Sequence, residues 1–125
     1  MASRNTQKKQ PLESHVIDAA GRPLGRVASD VARLLMGKHR ADYHPGSSPR
    51  TEVRVEHASQ VVLTGRKSSQ KRYYRHAGKL GHLKVRKFED VFSKNPTWVL
   101  RRAIMMMLPK NRLRASRIRR LFIVA

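Results

Sequence analysis

Apolar residues along this chain change their spacing several times, and each change marks an element. The run His15-Val16-Ile17-Asp18-Ala19 is broken by Ala20-Gly21-Arg22-Pro23, which predicts a buried strand followed by a turn. From Leu24 the apolar residues Val27, Ala28, Val31, Leu34 and Leu35 follow at +3, +4, +7, +10 and +11, one face of an α-helix. Pro23 suits the first helical position, and Gly37 ends the pattern. Val53-Arg54-Val55 alternates as a second strand after a loop rich in Pro, Gly and Ser at 43–50. Strand, turn, helix and strand in that order predict a βαβ unit with parallel strands and a right-handed crossover.

Residues 60–64 read as a third strand closed by Gly65. A helical pattern resumes at Phe88 with Val91 and Phe92 on one face. Asn95-Pro96 then reads as an N-cap followed by proline in the first turn of the next helix, over 97–107. Val99, Ala103, Ile104, Met107 and Leu108 form its core-facing stripe, with Arg101 and Arg102 off it, and Pro109 stops it. Met105, Met106 and Met107 read as adaptable core or interface filler. Leu121-Phe122-Ile123-Val124 reads as a terminal strand completing the sheet.

The 125 residues suffice for one domain that buries roughly two-thirds of the surface of its unfolded chain. Residues 1–13 are polar and basic with Leu12 as the one sizeable aliphatic side chain, so they read as an arm that orders against a partner, and 14–125 as the domain. No internal repeat is visible.

Charge changes this picture most. Against 28 Lys and Arg stand 8 Asp and Glu, a net charge of +20, which repels itself on compaction unless a polyanion is near. No acidic residue lies between Glu56 and Glu89 or after Asp90, so intramolecular pairing cannot neutralise two segments: 66–87, with nine Lys and Arg, and 110–120. Neither is expected to pack as core. Phosphates are the expected partner. No stretch approaches the ~20 apolar residues of a membrane span, and 1–10 lacks the apolar core of a secretory signal. The Ser, Arg and Lys before Glu13 are residue types of an organelle-targeting segment, but ten residues without apolar periodicity match one poorly. The absence of cysteine excludes disulfides and thiolate metal sites.

Lys71-Arg72-Tyr73-Tyr74-Arg75-His76 interleaves two aromatics with cations, a combination that can stack on bases or riboses while neutralising phosphates. The same tyrosines could instead plug the domain edge. Neighbours in an extended chain point opposite ways, so one in each role is consistent with the pattern. Gly78 and Gly81 flank Lys79-Leu80 in a loop whose backbone can approach a sugar–phosphate chain. Gly21-Arg22-Pro23-Leu24-Gly25-Arg26 matches neither the P-loop nor the dinucleotide fingerprint, so no nucleotide cofactor is expected. Six histidines, among them His39 and His44 near Asp42, raise a nuclease or metal reading, with His44, His76 and His82 as its essential residues. No HExxH or paired carboxylate motif accompanies them, and carboxylates are missing where the positive charge lies. No catalysis, metal or small-molecule substrate is expected.

Four segments, VIDAAGRPLGRVA at 16–28, GKHRADYHP at 37–45, VVLTGRKSSQKRYYRHAG at 61–78 and MLPKNRL at 107–113, lie in the order and spacing of a known family. Over about 15–124 the chain resembles the universal large-subunit ribosomal protein family conventionally numbered thirteen, in its bacterial and organellar form. The resemblance implies a three-layer α/β/α domain on a small, mainly parallel four-stranded sheet. It also implies direct binding to large-subunit ribosomal RNA, early entry into subunit assembly, neighbouring ribosomal proteins as partners and no catalysis. The family's basic loops correspond to 66–87 and 110–120.

Two departures stand out. The second strand usually has an acidic-glycine-acidic entry, an apolar run and Asn-Ala; here stands Arg50-Thr51-Glu52-Val53-Arg54-Val55-Glu56-His57-Ala58, which opens the question of its burial. Ser14-His15 replaces the aromatic that usually precedes the first strand. Such drift leans toward an organellar, mitochondrial, or reduced-genome ribosome rather than a typical bacterial one.

On this basis Arg66, Lys67, Lys71, Arg72, Arg75, Lys79, Lys84, Lys110, Arg112, Arg114, Arg117, Arg119 and Arg120 are expected on RNA phosphates. Tyr73, Tyr74, His76 and His82 join them from the basic loop, and Arg22, Arg26, Lys38 and His39 from either end of the first helix. Composition alone also permits an architectural DNA-binding protein.

Overall fold

A computed structural model describes residues 11–125. The expected arm therefore lies mostly outside the described residues. Its last residue, Glu13, belongs instead to the first strand, β1 (Glu13–Asp18).

The βαβ unit forms as its periodicity dictates. Helix α1 (Leu24–Met36) buries Leu24, Val27, Ala28, Val31, Ala32 and Leu35 on one face. Gly37 ends it at φ +80, where its own N–H and that of Lys38 close on the carbonyls of Leu34 and Arg33. β2 (Thr51–Glu56) runs parallel to β1, and on its other side parallel to β5 (Leu121–Ile123), so the sheet order is β1-β2-β5.

Side-chain alternation gives that sheet two unlike faces. Thr51, Val53 and Val55 are fully buried, beside Ile17 and Leu121, under α1 and α4 (Pro96–Met107). On the other face Val16 is 63% and Phe122 52% exposed, and Arg54 pairs with Glu56 at 3.3 Å in solvent. The departure in the second strand is thereby resolved: β2 is buried on its Val face and open on its charged face. The mixed α/β domain on a small parallel sheet is as expected. The helical cover, however, lies over one face of that sheet among the described residues, where the resemblance implied helices on both.

Among the described residues the sheet also has three strands, not four. After β2, His57 adopts a left-handed conformation (φ 57, ψ 41), with its Nδ1 2.9 Å from Asp18 Oδ1, and 58–60 turn as a short 3-10 helix. Asn, Asp and His are the non-glycine residues that most readily take this conformation, so His57 can stand where the family usually has Asn. Residues 60–64 then run beside the turn before α1. Pairing is limited to one bridge, Pro23–Val62, where Val62 N–H donates to Arg22 O and Leu24 N–H to Val62 O. The neighbouring chain is a turn and its Pro23 has no N–H, so no ladder propagates.

Segment 66–87 is more ordered than its composition suggests. A single helical turn, α2 (Lys67–Gln70), leads into an antiparallel hairpin of β3 (Arg72–His76) and β4 (Leu83–Lys87). Helix α3 (Phe88–Lys94) follows and docks Phe88 into the core, stacked on Phe92 at 5.2 Å. At the start of α4, Asn95 Oδ1 accepts the N–H of Trp98 at 3.1 Å and Pro96 takes the first position, the cap read from the sequence.

Val99, Leu100, Ile104 and Leu108 pack α4 against α1, whereas Met107, expected in the stripe, is 48% exposed. Leu100 takes its place in the interior. Deleting a side chain such as Ile104, which is fully buried, costs about 2–5 kcal/mol in comparable cores. A short helix α5 (Leu113–Ile118) then leads into β5. No helix among the described residues is long and apolar enough to cross a membrane.

Candidate nucleic-acid interface

In the β3–β4 register Tyr73 faces Arg86 and Arg75 faces Lys84. Directly opposed residues share a face, and so do residues two apart on one strand. Tyr73, Arg75, Lys84 and Arg86 therefore occupy one face of the hairpin, with Arg72, Tyr74, His76, Leu83, Val85 and Lys87 on the other. Trp98 and Arg102, one turn apart on α4, stand against the first face. Between hairpin and helix lies a cavity of about 370 Å³, lined by Tyr73, Tyr74, Arg75, Lys84, Arg86, Trp98 and Arg102. Its lining contains no acidic residue.

The two tyrosines divide the roles that the sequence left open. Tyr73 is half-buried, stands edge-on to Trp98 with ring centres 5.1 Å apart, and carries the Lys71 ammonium 5.6 Å from its own ring centre. Burial pushes its phenol pKa up, and burial likewise lowers that of Lys71, with the nearby Lys67 adding to the effect. Tyr74 is 63% exposed and free to meet a partner. Lys79 and His82 sit at the hairpin tip, where the N–H of His82 donates to Lys79 O and that of Gly78 to the His76 ring. Gly78 and Gly81 both have positive φ there, so the tip depends on glycine.

Other expected residues fall elsewhere. Arg66 and Lys67 are exposed at α2. Lys67 meets Arg22 and Arg26 around a second cavity at the start of α1, where Arg22 is already paired with Asp30 at 2.5 Å. Lys38 is exposed beyond α1. His39 Nε2 lies 2.9 Å from Glu13 Oε2, and Arg40 Nη1 donates to Glu13 Oε1 at 3.1 Å, which ties β1 to the segment after α1. His15 joins Glu13 and His39 there, the one trio of possible ligand residues that converges among the described residues. With the Arg40 guanidinium on the same carboxylate, that trio is already a neutralised polar tie.

Segment 110–120 divides. Lys110, Arg112 and Arg119 are exposed and Arg114 is partly so. Arg117 and Arg120 do not belong to the surface set. Arg117 is 2% exposed and donates to Ser47 O at 3.2 Å; Arg120 donates to Pro49 O and to Ser48 Oγ. The loop 43–50 has carbonyls without a ladder to join, and these two guanidinium groups satisfy them. Burial, with Arg117 nearby, lowers the Arg120 pKa. Arg101 acts similarly on the carbonyls of Ile118 and Leu121.

Reading the sequence for charge missed Arg86, Trp98 and Arg102. A signal was available: Arg86 continues the alternation begun at Lys84, and Trp98 and Arg102 are four apart on a helix.

Comparison with known proteins agrees with the quoted motifs. The family model described as ribosomal protein L13 matches residues 12–125. The large ribosomal subunit protein uL13 of Treponema pallidum (strain Nichols) is 50% identical over 77% of this chain and 68% of its own length. That of Alkalilimnicola ehrlichii is 40% identical over 89% of this chain and 78% of its own, and that of Natranaerobius thermophilus 40% over 98% and 88%. These relatives are bacterial, so the leaning toward an organellar ribosome is not borne out. With a family model covering nearly the whole domain and relatives at this identity, the chain belongs to the ribosomal protein L13 family.

Proposed function

We propose that the protein is a structural, non-catalytic constituent of the large ribosomal subunit that docks on large-subunit ribosomal RNA, contacts neighbouring ribosomal proteins and supports subunit assembly. The observation that carries the RNA-binding part is the hairpin face of Arg75, Lys84 and Arg86 with Arg102 beside it, a cationic wall without an acidic residue. The parallel sheet and α1–α4 core hold this wall, the exposed tip with Lys79 and His82, and the exposed cations of 110–120 in fixed positions. Phosphates gain neutralisation at little ordering cost. Contacts of this kind fix register and orientation and carry little base information.

Counterion release supplies the test. Binding to large-subunit ribosomal RNA, followed by filter retention between 50 and 200 mM salt, is expected to fall with a slope of about −0.7 to −0.9 per phosphate neutralised, so ~6 contacts cost about three decades of affinity. A slope near zero rejects the proposal. An architectural DNA protein would keep a free pool on chromatin, whereas this protein is expected to sediment with large subunits at moderate salt.

A further inference from the structure

We infer that the cavity between the hairpin and α4 is a seat for a single unpaired nucleotide of the bound RNA, its base against Trp98 and its phosphates on Arg75, Arg86 and Arg102. The inference rests on the RNA-binding reading above and adds a site and a ligand to it.

Three features carry it. First, the lining combines aromatic rings with cations alone, the chemistry that single-stranded nucleic acid recruits: rings for the π-face of any base and guanidinium groups for its backbone. Second, Trp98 is 39% exposed although its ring is large and apolar and a core lies beneath it. Tyr73 packs edge-on against its indole and the Asn95 side chain accepts its backbone N–H, so the ring is braced on one side and its anchor on the helix is fixed by the cap. Third, the volume of about 370 Å³ suits one nucleotide and is far too small for a duplex. A duplex buries its base faces in its own stack and offers none to a ring. The site therefore requires an unstacked base.

Charge complementarity also decides against a protein occupant. An acidic peptide could meet the arginines but would leave the indole without a planar partner, while a nucleotide satisfies both. The Trp98 ring can stack on any base, so the site selects for strandedness rather than for sequence.

The chain has one tryptophan, so its emission reports on Trp98 and its immediate surroundings. The full-length protein is titrated with a 12-nucleotide oligoadenylate and with a 12-base-pair blunt RNA duplex, at matched salt, following Trp98 emission and filter retention together. Expected are quenching by the single strand, little change with the duplex, and a roughly ten-fold loss of single-strand affinity in Trp98→Leu that Trp98→Phe largely restores. Arg102→Gln weakens single-strand binding while the protein remains folded by circular dichroism. Salt-sensitive retention of both RNAs with unchanged emission overturns the nucleotide seat and leaves the docking proposal standing. No retention of either overturns both. Quenching by a purified neighbouring ribosomal protein and not by oligoadenylate overturns the seat in favour of a protein contact.

Discussion

Arg117 and Ser47, 70 residues apart in the chain, are joined inside the protein, where the Arg117 guanidinium donates to the Ser47 carbonyl at 3.2 Å with the arginine 2% exposed. In a protein with a net charge of +20 this cation is turned inward, holding the loop before β2 against the end of α5. Arg117→Ala is expected to lower stability by about 2–4 kcal/mol, from the lost volume and the carbonyl left without a donor. Urea denaturation measures it. The salt slope of RNA binding should remain that of the parent, since no surface charge is lost; a reduced slope would return Arg117 to the interface.

The exposed cations should behave in the opposite way. Lys79→Gln, Lys84→Gln and Arg112→Gln are each expected to make the salt slope shallower by about 0.7–0.9 while leaving stability within about 0.5 kcal/mol. Filter binding across a salt series, with urea melts alongside, separates the two groups.

Two glycines in or beside α1 predict opposite signs. Gly37 sits at φ +80 and a Cβ there would lie 2.5 Å from Pro49 Cγ, itself buried, so Gly37→Ala should cost about 2 kcal/mol or more. Gly25 meets nothing within 4 Å and lies in the helix, so Gly25→Ala should stabilise by about 0.4–1 kcal/mol. Thermal melts of the two variants and the parent check both.

The pH dependence follows from three carboxylates, of which Asp42 is held below its ordinary value by the hydrogen bond from Arg40. The hydrogen bond to His39, with Arg40 adding its charge, lowers the Glu13 pKa from its ordinary 4.5, and the Ala20 N–H and His57 lower that of Asp18 from 3.8. A folded-state pKa below the unfolded one gives stability that is present above the unfolded value and lost as pH falls through the folded one. Stability should therefore decline from about pH 4.5 downward, and Glu13→Gln with Asp18→Asn should flatten that decline. A parent and variant that lose stability in parallel below pH 4.5 would contradict it.

The sequence by itself determined the elements whose signals are local. Apolar spacing of 3.6 set α1 and the buried side of α4, short apolar runs set β1 and β5, alternation set β2, and Asn95-Pro96 set the start of α4, because each depends on residues within a turn or two of one another. The family, too, was legible in four short motifs. Tertiary structure alone decided which cations face outward. Arg75 and Arg117 are indistinguishable in an acid-free run, yet one lies in a cross-strand row open to solvent and the other under a loop whose carbonyls need donors. It likewise decided that 60–64 has a turn for a neighbour and no ladder, that Tyr73 braces while Tyr74 is exposed, and that Trp98 from α4 meets Tyr73 from β3. The physical reason is common to all four: burial and pairing are properties of what lies opposite in space, and no local period encodes that.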